Sequence, residues 1–233
     1  MKKLSTYILI FAWAFPFFLT LNYFVILANA PPAIQQAAYS IGKSIQFTLP
    51  ILWVGIVCKE RCWLRPINRR GLFEGTLFGI AVFVLMLAVY FFWLRVPGGV
   101  LAPGSPACEE ILDKIKGLGL ANKGVFVLLG VFYAILHSGL EEYYWRWFVC
   151  QKLSCSALCA SLGFTAHHVI LLGTFFGYGS LYCWLGSLGV FVGGWYWGWL
   201  YRRTDSVWGA WIGHGFIDAA IFTIGFLIMM SAG

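Results

Sequence analysis

Charge is scarce in this sequence of 233 residues: Asp, Glu, Lys and Arg together make up 11% of it, against roughly 25% in a typical soluble domain. Acidic residues are rarer than basic ones, with nine Asp and Glu against sixteen Lys and Arg. Hydrophobic residues account for 61% of the chain, which is more than one core of this size can bury. The composition therefore excludes a water-soluble globule, an intrinsically disordered chain and a disulfide-rich secreted scaffold.

The sequence also lacks internal repeats, low-complexity tracts and the short alternating segments of a β-barrel. Its apolar runs are continuous and long enough for an α-helix to cross a hydrocarbon core about 30 Å thick. We therefore predict an all-α, polytopic membrane bundle of about seven helices that forms one membrane domain over residues 1–233. Residues 1–120 would hold three spans and a polar loop, and residues 121–233 the helices that carry the candidate site. The predicted spans are Thr6–Ala28, Ala38–Val57, Leu72–Leu94, Gly124–Gln151, Ala157–Leu172, Leu181–Leu200 and Val207–Met230.

The basic residues predict the orientation of these spans. They cluster between the apolar runs, at Lys2-Lys3, Lys59–Arg70, Lys152 and Arg202-Arg203. Because cytoplasmic loops of membrane proteins are enriched in Lys and Arg, we expect the N-terminus inside and the C-terminus outside. The basic residues behind the net charge of +7 are thus interpreted as signals that orient the spans in the membrane, and no nucleic acid partner is expected. We expect the first span to be an uncleaved signal anchor, and the basic loops favour a prokaryotic cytoplasmic membrane.

Few ionisable side chains fall inside the predicted spans, where each is costly and therefore a functional candidate. Lys43 and Glu74 lie near predicted span ends, so their side chains can reach the interface, and we interpret both as structural. The others concentrate in three spans of the C-terminal half, and all are candidate site residues: His137, Glu141, Glu142, Arg146, His167, His168, His214 and Asp218.

The two adjacent glutamates have different neighbours on their own helix. Glu142 and Arg146 are four residues apart with the acid first, which favours a helical ion pair. Glu141 lies about 100° around the helix and has His137 as its neighbour four residues earlier. Because Glu141 has no cation on its own helix, it is the better candidate for a general base or acid. The alternative is a charge cluster at the cytoplasmic end of the helix.

The histidines allow a second, weaker prediction. His214 and Asp218 share a helix face, whereas only one of the adjacent His167 and His168 is expected to point toward any given face. Each histidine alone is also typical of helix packing.

Helix geometry tests whether these residues reach one depth. At 1.5 Å per residue, Glu141 lies about 15 Å from Lys152 and His214 about 15 Å from Arg203, near the middle of the core. Sixteen residues separate His168 from Lys152. His168 would therefore lie nearer the outer side unless residues 153–156 form a turn or the helix tilts.

Three short motifs in this half resemble a known family. Glu141-Glu142-x-x-x-Arg146, Phe164-x-x-x-His168 and His214-x-x-x-Asp218 are similar to the motifs of the CPBP family. Its members are the CAAX proteases and bacteriocin-processing enzymes, also called the ABI family, which are intramembrane glutamic endopeptidases. The resemblance covers about residues 125–220 and includes the stretch Leu200–Trp208.

The resemblance implies roles for the matching positions. Glu141 would be the general base that activates water, and His168 would bind and polarise that water. His214 with Asp218 would supply the oxyanion side, while Glu142 and Arg146 would support the site. Apart from the resemblance, we also expect supporting roles for His137 and His167. Two departures are Trp147, where the family usually has glycine, and Asp218, where many members have asparagine. An ionised Asp218 would repel an oxyanion, so we expect it to be protonated or to orient His214.

Other functions remain open at this point. A Glu/His/His set can bind zinc, so a metalloprotease is an alternative to the expected mechanism without metal or cofactor. The same residues could relay protons in a transporter, or belong to a catalytically silent scaffold or immunity protein. For a peptidase, the expected substrate is a membrane protein or lipid-modified peptide, with C-terminal processing or sorting-tail cleavage as the reaction.

Overall fold

In the computed structural model, residues 2–231 are described, with side chains from residue 4 onward. The chain is 81% helical, and none of the described residues forms a strand. We label the long helices α1 (Leu4–Ile26), α2 (Pro32–Val57), α3 (Arg69–Leu94), α4 (Pro106–Gly117), α5 (Lys123–Lys152), α6 (Ala157–Phe176), α7 (Leu181–Thr204) and α8 (Trp208–Ser231). Several of them contain π-helical stretches, at Asn22–Ile26, Leu52–Val57, Tyr90–Leu94, Tyr133–His137 and Tyr143–Lys152.

Six of these helices are long and apolar enough to cross a membrane, which confirms a polytopic helical protein close to the predicted seven spans. The sixth predicted span, Leu181–Leu200, is also a helix, α7, and its 24 residues are long enough to cross. It is not among the six because glycine, tryptophan and tyrosine replace much of its aliphatic content. The largest difference in a helix start concerns α2, which begins at Pro32 rather than at Ala38. Proline is favoured in the first helical turn because its missing N–H needs no partner there.

The chain divides into two compact units, and both are discontinuous in sequence. The first contains Met1–Asn68 and Leu140–Val207, and the second contains Arg69–Gly139 and Trp208–Gly233. The first unit therefore holds α1, α2, α6, α7 and the C-terminal part of α5. The second holds α3, α4, α8 and the N-terminal part of α5.

In the first unit, α6 is held against α1 by direct contacts. The indole Nε1 of Trp13 donates to the carbonyl of Cys159 at 2.8 Å. A Cβ on Gly163 would lie only 2.6 Å from that indole nitrogen, so glycine makes the approach possible. The hydroxyl of Tyr144 on α5 also donates to the carbonyl of Ala12, at 2.7 Å. These contacts fix the positions of α5 and α6 relative to α1.

In the second unit, α3 and α8 meet through glycines. A Cβ on Gly75 would lie 2.0 Å from the carbonyl oxygen of Gly209, and one on Gly79 would lie 2.7 Å from the Cα of Gly213. Small residues of this kind let membrane helices approach closely enough for backbone contact. Gly213 directly precedes His214, and Gly209 lies five residues before it, so this packing positions the helix that carries the third motif.

The connection between α5 and α6 decides the depth of His168. Residues 153–156 are not helical, and Ser156 caps α6 by accepting a hydrogen bond from the Cys159 amide at 3.0 Å. The helix therefore restarts at Ala157. His168 lies eleven residues from this start, and Glu141 lies eleven residues from Lys152 at the end of α5. A turn at residues 153–156 was one of the two conditions, beside a tilted helix, under which His168 would reach the depth of Glu141. This condition is met.

Candidate active site

Glu142 and Arg146 form the predicted ion pair, and both are buried. Arg146 Nε lies 3.0 Å from Glu142 Oε2, and the side chains are 2% and 0% exposed. Arg146 also donates from Nη2 to the carbonyl of Gly194 at 3.0 Å. Its guanidinium lies over the rings of Phe164 and Trp197, at 5.0 and 5.4 Å from their centroids. The pair thus joins α5 to both α6 and α7.

Glu141, His167 and His168 meet in the same unit. One ligand atom from each side chain lies within 4.8 Å of the other two. His167 Nε2 lies 4.0 Å from Glu141 Oε1, which is too long for a direct hydrogen bond. Two hydrogen bonds of about 2.8 Å to one shared water would separate their partners by about 4.6 Å. The spacing therefore suits a water molecule held between the three side chains.

The tautomer of a neutral His168 ring follows from its backbone contact. Its Nδ1 lies 2.8 Å from the carbonyl oxygen of Phe164. A carbonyl only accepts hydrogen bonds, so Nδ1 carries the proton and Nε2 of the neutral ring carries the lone pair. Nε2 can therefore accept a hydrogen bond from a water.

His167 and His168 both lie near Glu141, which differs from the prediction that only one of them would face the site. His167 is 6% exposed, and its ring lies parallel to Trp145, with centroids 6.1 Å apart and planes at 4°. The prediction was wrong because adjacent helical residues diverge by only about 100°. Two side chains can therefore lie on either side of one carboxylate that belongs to a neighbouring helix.

Lys43 is the residue that sequence reasoning missed. Its Nζ lies 3.2 Å from Glu141 Oε1, and the lysine side chain is 15% exposed. The interpretation of Lys43 as a residue near a span end was wrong, because α2 begins at Pro32 and places Lys43 near its middle. The available signal was the lysine itself, the only Lys or Arg between Leu4 and Cys58. Glu74, by contrast, pairs with Arg70 one turn earlier, at 2.9 Å.

The remaining predicted residues lie in the second unit. His214 is 4% exposed, and its Nε2 faces Asp218 Oδ1 at 3.6 Å, beyond direct hydrogen-bond range. The next residue, Gly215, allows α8 to pack against α5, since a Cβ there would lie 2.4 Å from the carbonyl oxygen of Ala134. His137 packs against the ring of Tyr133, with centroids 4.5 Å apart.

The Lys152 end of the first unit carries a separate cluster of charges. Lys152 pairs with Glu60, and Arg65 pairs with Asp205, so the loop after α2 is tied to the ends of α5 and α7. A cavity of about 490 Å³ lies there, lined by Arg61, Trp63, Leu64, Arg65, Pro66, Trp147, Gln151 and Lys152. None of the eight predicted site residues lines it.

Comparison with known families adds one result. Residues 123–220 match the family model of the type II CAAX prenyl endopeptidase Rce1-like proteins. The match confirms the resemblance to the CPBP family. It covers less than half of the chain but includes all eight predicted site residues, and it excludes Lys43. No curated protein and no solved structure matched the chain. Together with the membrane-spanning helices, the Rce1-like match supports a membrane endopeptidase.

Proposed function

We propose that this protein is an intramembrane endopeptidase of the glutamic type, with Glu141 as the general base. The observation that carries this proposal is the environment of Glu141. It is 2% exposed and lies with two histidines at the spacing of one shared water. The neighbouring Glu142 is instead committed to Arg146. One carboxylate thus holds the helices together while the other faces groups that can bind water.

The proposed reaction begins with a water held between Glu141 and Nε2 of His168. Glu141 takes a proton from this water, and the resulting hydroxide attacks the carbonyl carbon of the scissile peptide bond. The carbonyl oxygen becomes an oxyanion. When the tetrahedral intermediate collapses, the C–N bond breaks, and the departing amine takes the proton back from Glu141. No metal or cofactor is part of this sequence of steps.

We assign the oxyanion to His214, with Asp218 as the residue that orients its ring. This part of the proposal is supported by the Rce1-like match and by the burial of His214. A neutral Asp218 would avoid repelling the developing negative charge. Glu142 and Arg146 would support the helix that carries Glu141.

The proposed substrate is a membrane protein or a lipid-modified peptide, cleaved near its membrane-embedded part. C-terminal processing or removal of a sorting tail in a prokaryotic cytoplasmic membrane would fit this chemistry. The six apolar helices and the burial of Glu141 support a substrate that reaches the site through the bilayer.

The direct test compares membranes that contain the wild-type protein with membranes that contain Glu141→Gln. Mass spectrometry of the membrane proteome should find new C-termini with the wild type only. Glu110→Gln is a matched control, because Glu110 lies on α4 in an exposed pair with Lys114. Equal C-termini in all three samples would overturn the proposal. Proton uptake into vesicles that depends on Glu141, with no cleavage, would favour a transporter instead.

A further inference from the structure

The ammonium group of Lys43 lies directly beside the proposed base. Its Nζ is 3.2 Å from Glu141 Oε1, and it lies over the rings of Tyr39 and Phe47, 5.7 and 5.2 Å from their centroids. These rings come from one turn before and one turn after Lys43 on α2. A lysine held in this way presents a fixed positive charge to Glu141 rather than a mobile one.

The side chains around Glu141 have the composition of a catalytic zinc site. Glu141, His167 and His168 each offer one ligand atom, and these atoms lie within 4.8 Å of one another. Zinc binds carboxylate oxygens and imidazole nitrogens, and two histidines with one glutamate are a known set of three protein ligands. By residue type alone, the cluster fits a metal.

The charge around Glu141 favours the lysine over a metal. The ammonium already contacts Glu141 Oε1, so a divalent ion bound to that oxygen would face a like charge at short range. With neutral histidines, Lys43 and Glu141 together carry no net charge, whereas an added zinc would leave two uncompensated positive charges in a buried place.

We propose that the ammonium of Lys43 takes the place of a metal ion in the cluster of Glu141, His167 and His168. Lys43 is then a positioning residue that acts through Glu141, keeping the carboxylate in place beside the water. The inference rests on the proposed function for its chemistry, but its charge balance does not depend on which reaction follows. It also implies that a residue outside the Rce1-like segment completes the site.

The test is the metal content of purified variants. Each protein is incubated with zinc in detergent, freed of unbound metal and analysed for bound zinc. The wild type should bind no more zinc than Lys152→Met, a control that removes a lysine paired with an exposed glutamate, Glu60, away from the cluster. Lys43→Met should bind about one zinc per chain, because the ligands then lack a competing cation. Adding His168→Ala to Lys43→Met should abolish this binding.

Measurement of the cleavage activity is a second test. A strong chelator should leave wild-type cleavage unchanged, and Lys43→Met should lower kcat about tenfold or more with KM little changed. Lys43→Arg keeps the charge, so it should exclude zinc and recover part of the lost kcat. If Lys43→Met does not fold, Lys43→Gln is used in its place with the same expectations.

Two results would overturn the inference. One is a wild-type protein that holds stoichiometric zinc and loses activity on chelation. The other is a folded Lys43→Met that binds no more zinc than Lys152→Met. If only the proposed function fails, the pattern is different. Each variant then shows the zinc content given above, but the wild type cleaves no substrate.

Discussion

Arg146 and Glu142 lie one helical turn apart on α5, 3.0 Å between Nε and Oε2, with almost no exposed surface on either side chain. The adjacent Glu141 faces Lys43, which comes from a different helix. The two glutamates are thus neutralised by cations of different origin. Mutations of the two residues should have different consequences.

Glu142→Gln should destabilise the fold more than Glu141→Gln. The change leaves the buried Arg146 without its partner, which typically costs about 3–5 kcal/mol. Glu141→Gln should abolish cleavage but leave the protein folded, because Lys43 remains partly exposed and packed on aromatic rings. Thermal unfolding in detergent, followed by tryptophan fluorescence, measures the difference. A lower Tm for Glu141→Gln than for Glu142→Gln would show that the two roles are reversed.

His168→Ala should lower kcat by about 10²- to 10⁴-fold, the usual contribution of a group that assists proton transfer. The reason is the loss of the Nε2 lone pair that holds the water, so KM should change little. Steady-state kinetics on a peptide substrate provide the measurement. A variant that retains half of the wild-type kcat would remove His168 from the mechanism.

Asp218→Asn should keep kcat within about tenfold of the wild type. His214 and Asp218 are 3.6 Å apart without a direct hydrogen bond, and many members of the family resembled by the motifs have asparagine here. Asp218→Leu, which removes the polar group, should reduce activity much further. A loss near 10⁴-fold in Asp218→Asn would instead indicate an ionised aspartate that sets the tautomer of His214.

Gly75→Ala should destabilise the protein by about 1–3 kcal/mol, because the added methyl group overlaps the backbone of α8. The overlap is with the carbonyl oxygen of Gly209. Gly189→Ala on α7 is the matched control, since nothing lies within 4 Å of a Cβ there. Helix propensity should make that change neutral or stabilising by up to about 1 kcal/mol. Equal Tm values for the two variants would contradict the close packing of α3 and α8.

Cys155 should resist alkylation at neutral pH. Burial raises the pKa of its thiol to about 12, and a hydrogen bond with Cys159 adds to the rise. A raised thiol pKa means that the reactive thiolate is absent at low pH and forms only as pH increases toward that value. At pH 8 roughly one molecule in ten thousand would carry it. Mass spectrometry after maleimide treatment should find Cys58, which is exposed, modified long before Cys155. Rapid labelling of both would contradict this environment.

Local spacing made part of the site predictable. The Glu142–Arg146 pair follows from a four-residue separation within one helix, and the spans follow from the lengths of the apolar runs. The contact between Lys43 and Glu141 joins residues 98 positions apart, and spacing within helices carries no information about such a pair. The error also had a local cause, because the predicted span begins at Ala38 and so omits the first helical turns from Pro32 onward.

The restart of the helix at Ala157 had a recognisable signal that the predictions used only in part. Ser156 precedes an apolar run, and serine is a favoured N-cap residue. With the helix start fixed there, His168 and Glu141 can be placed at the same distance from the connecting turn. The approach of both His167 and His168 to one carboxylate depends on how α6 is rotated against α5, which the sequence pattern leaves open.

The hairpin of α5 and α6 also sets how far a substrate must reach. Eleven residues separate Lys152 from Glu141 and eleven separate Ala157 from His168, so the base lies about 16 Å from the turn. An extended polypeptide covers that length in about five residues, whereas a helical one needs about eleven. A chain that enters from the Lys152 end in extended form would therefore be cut about five residues beyond the point where it leaves the polar surface. The length of the hairpin, rather than a side-chain pocket, would then select the bond that is broken.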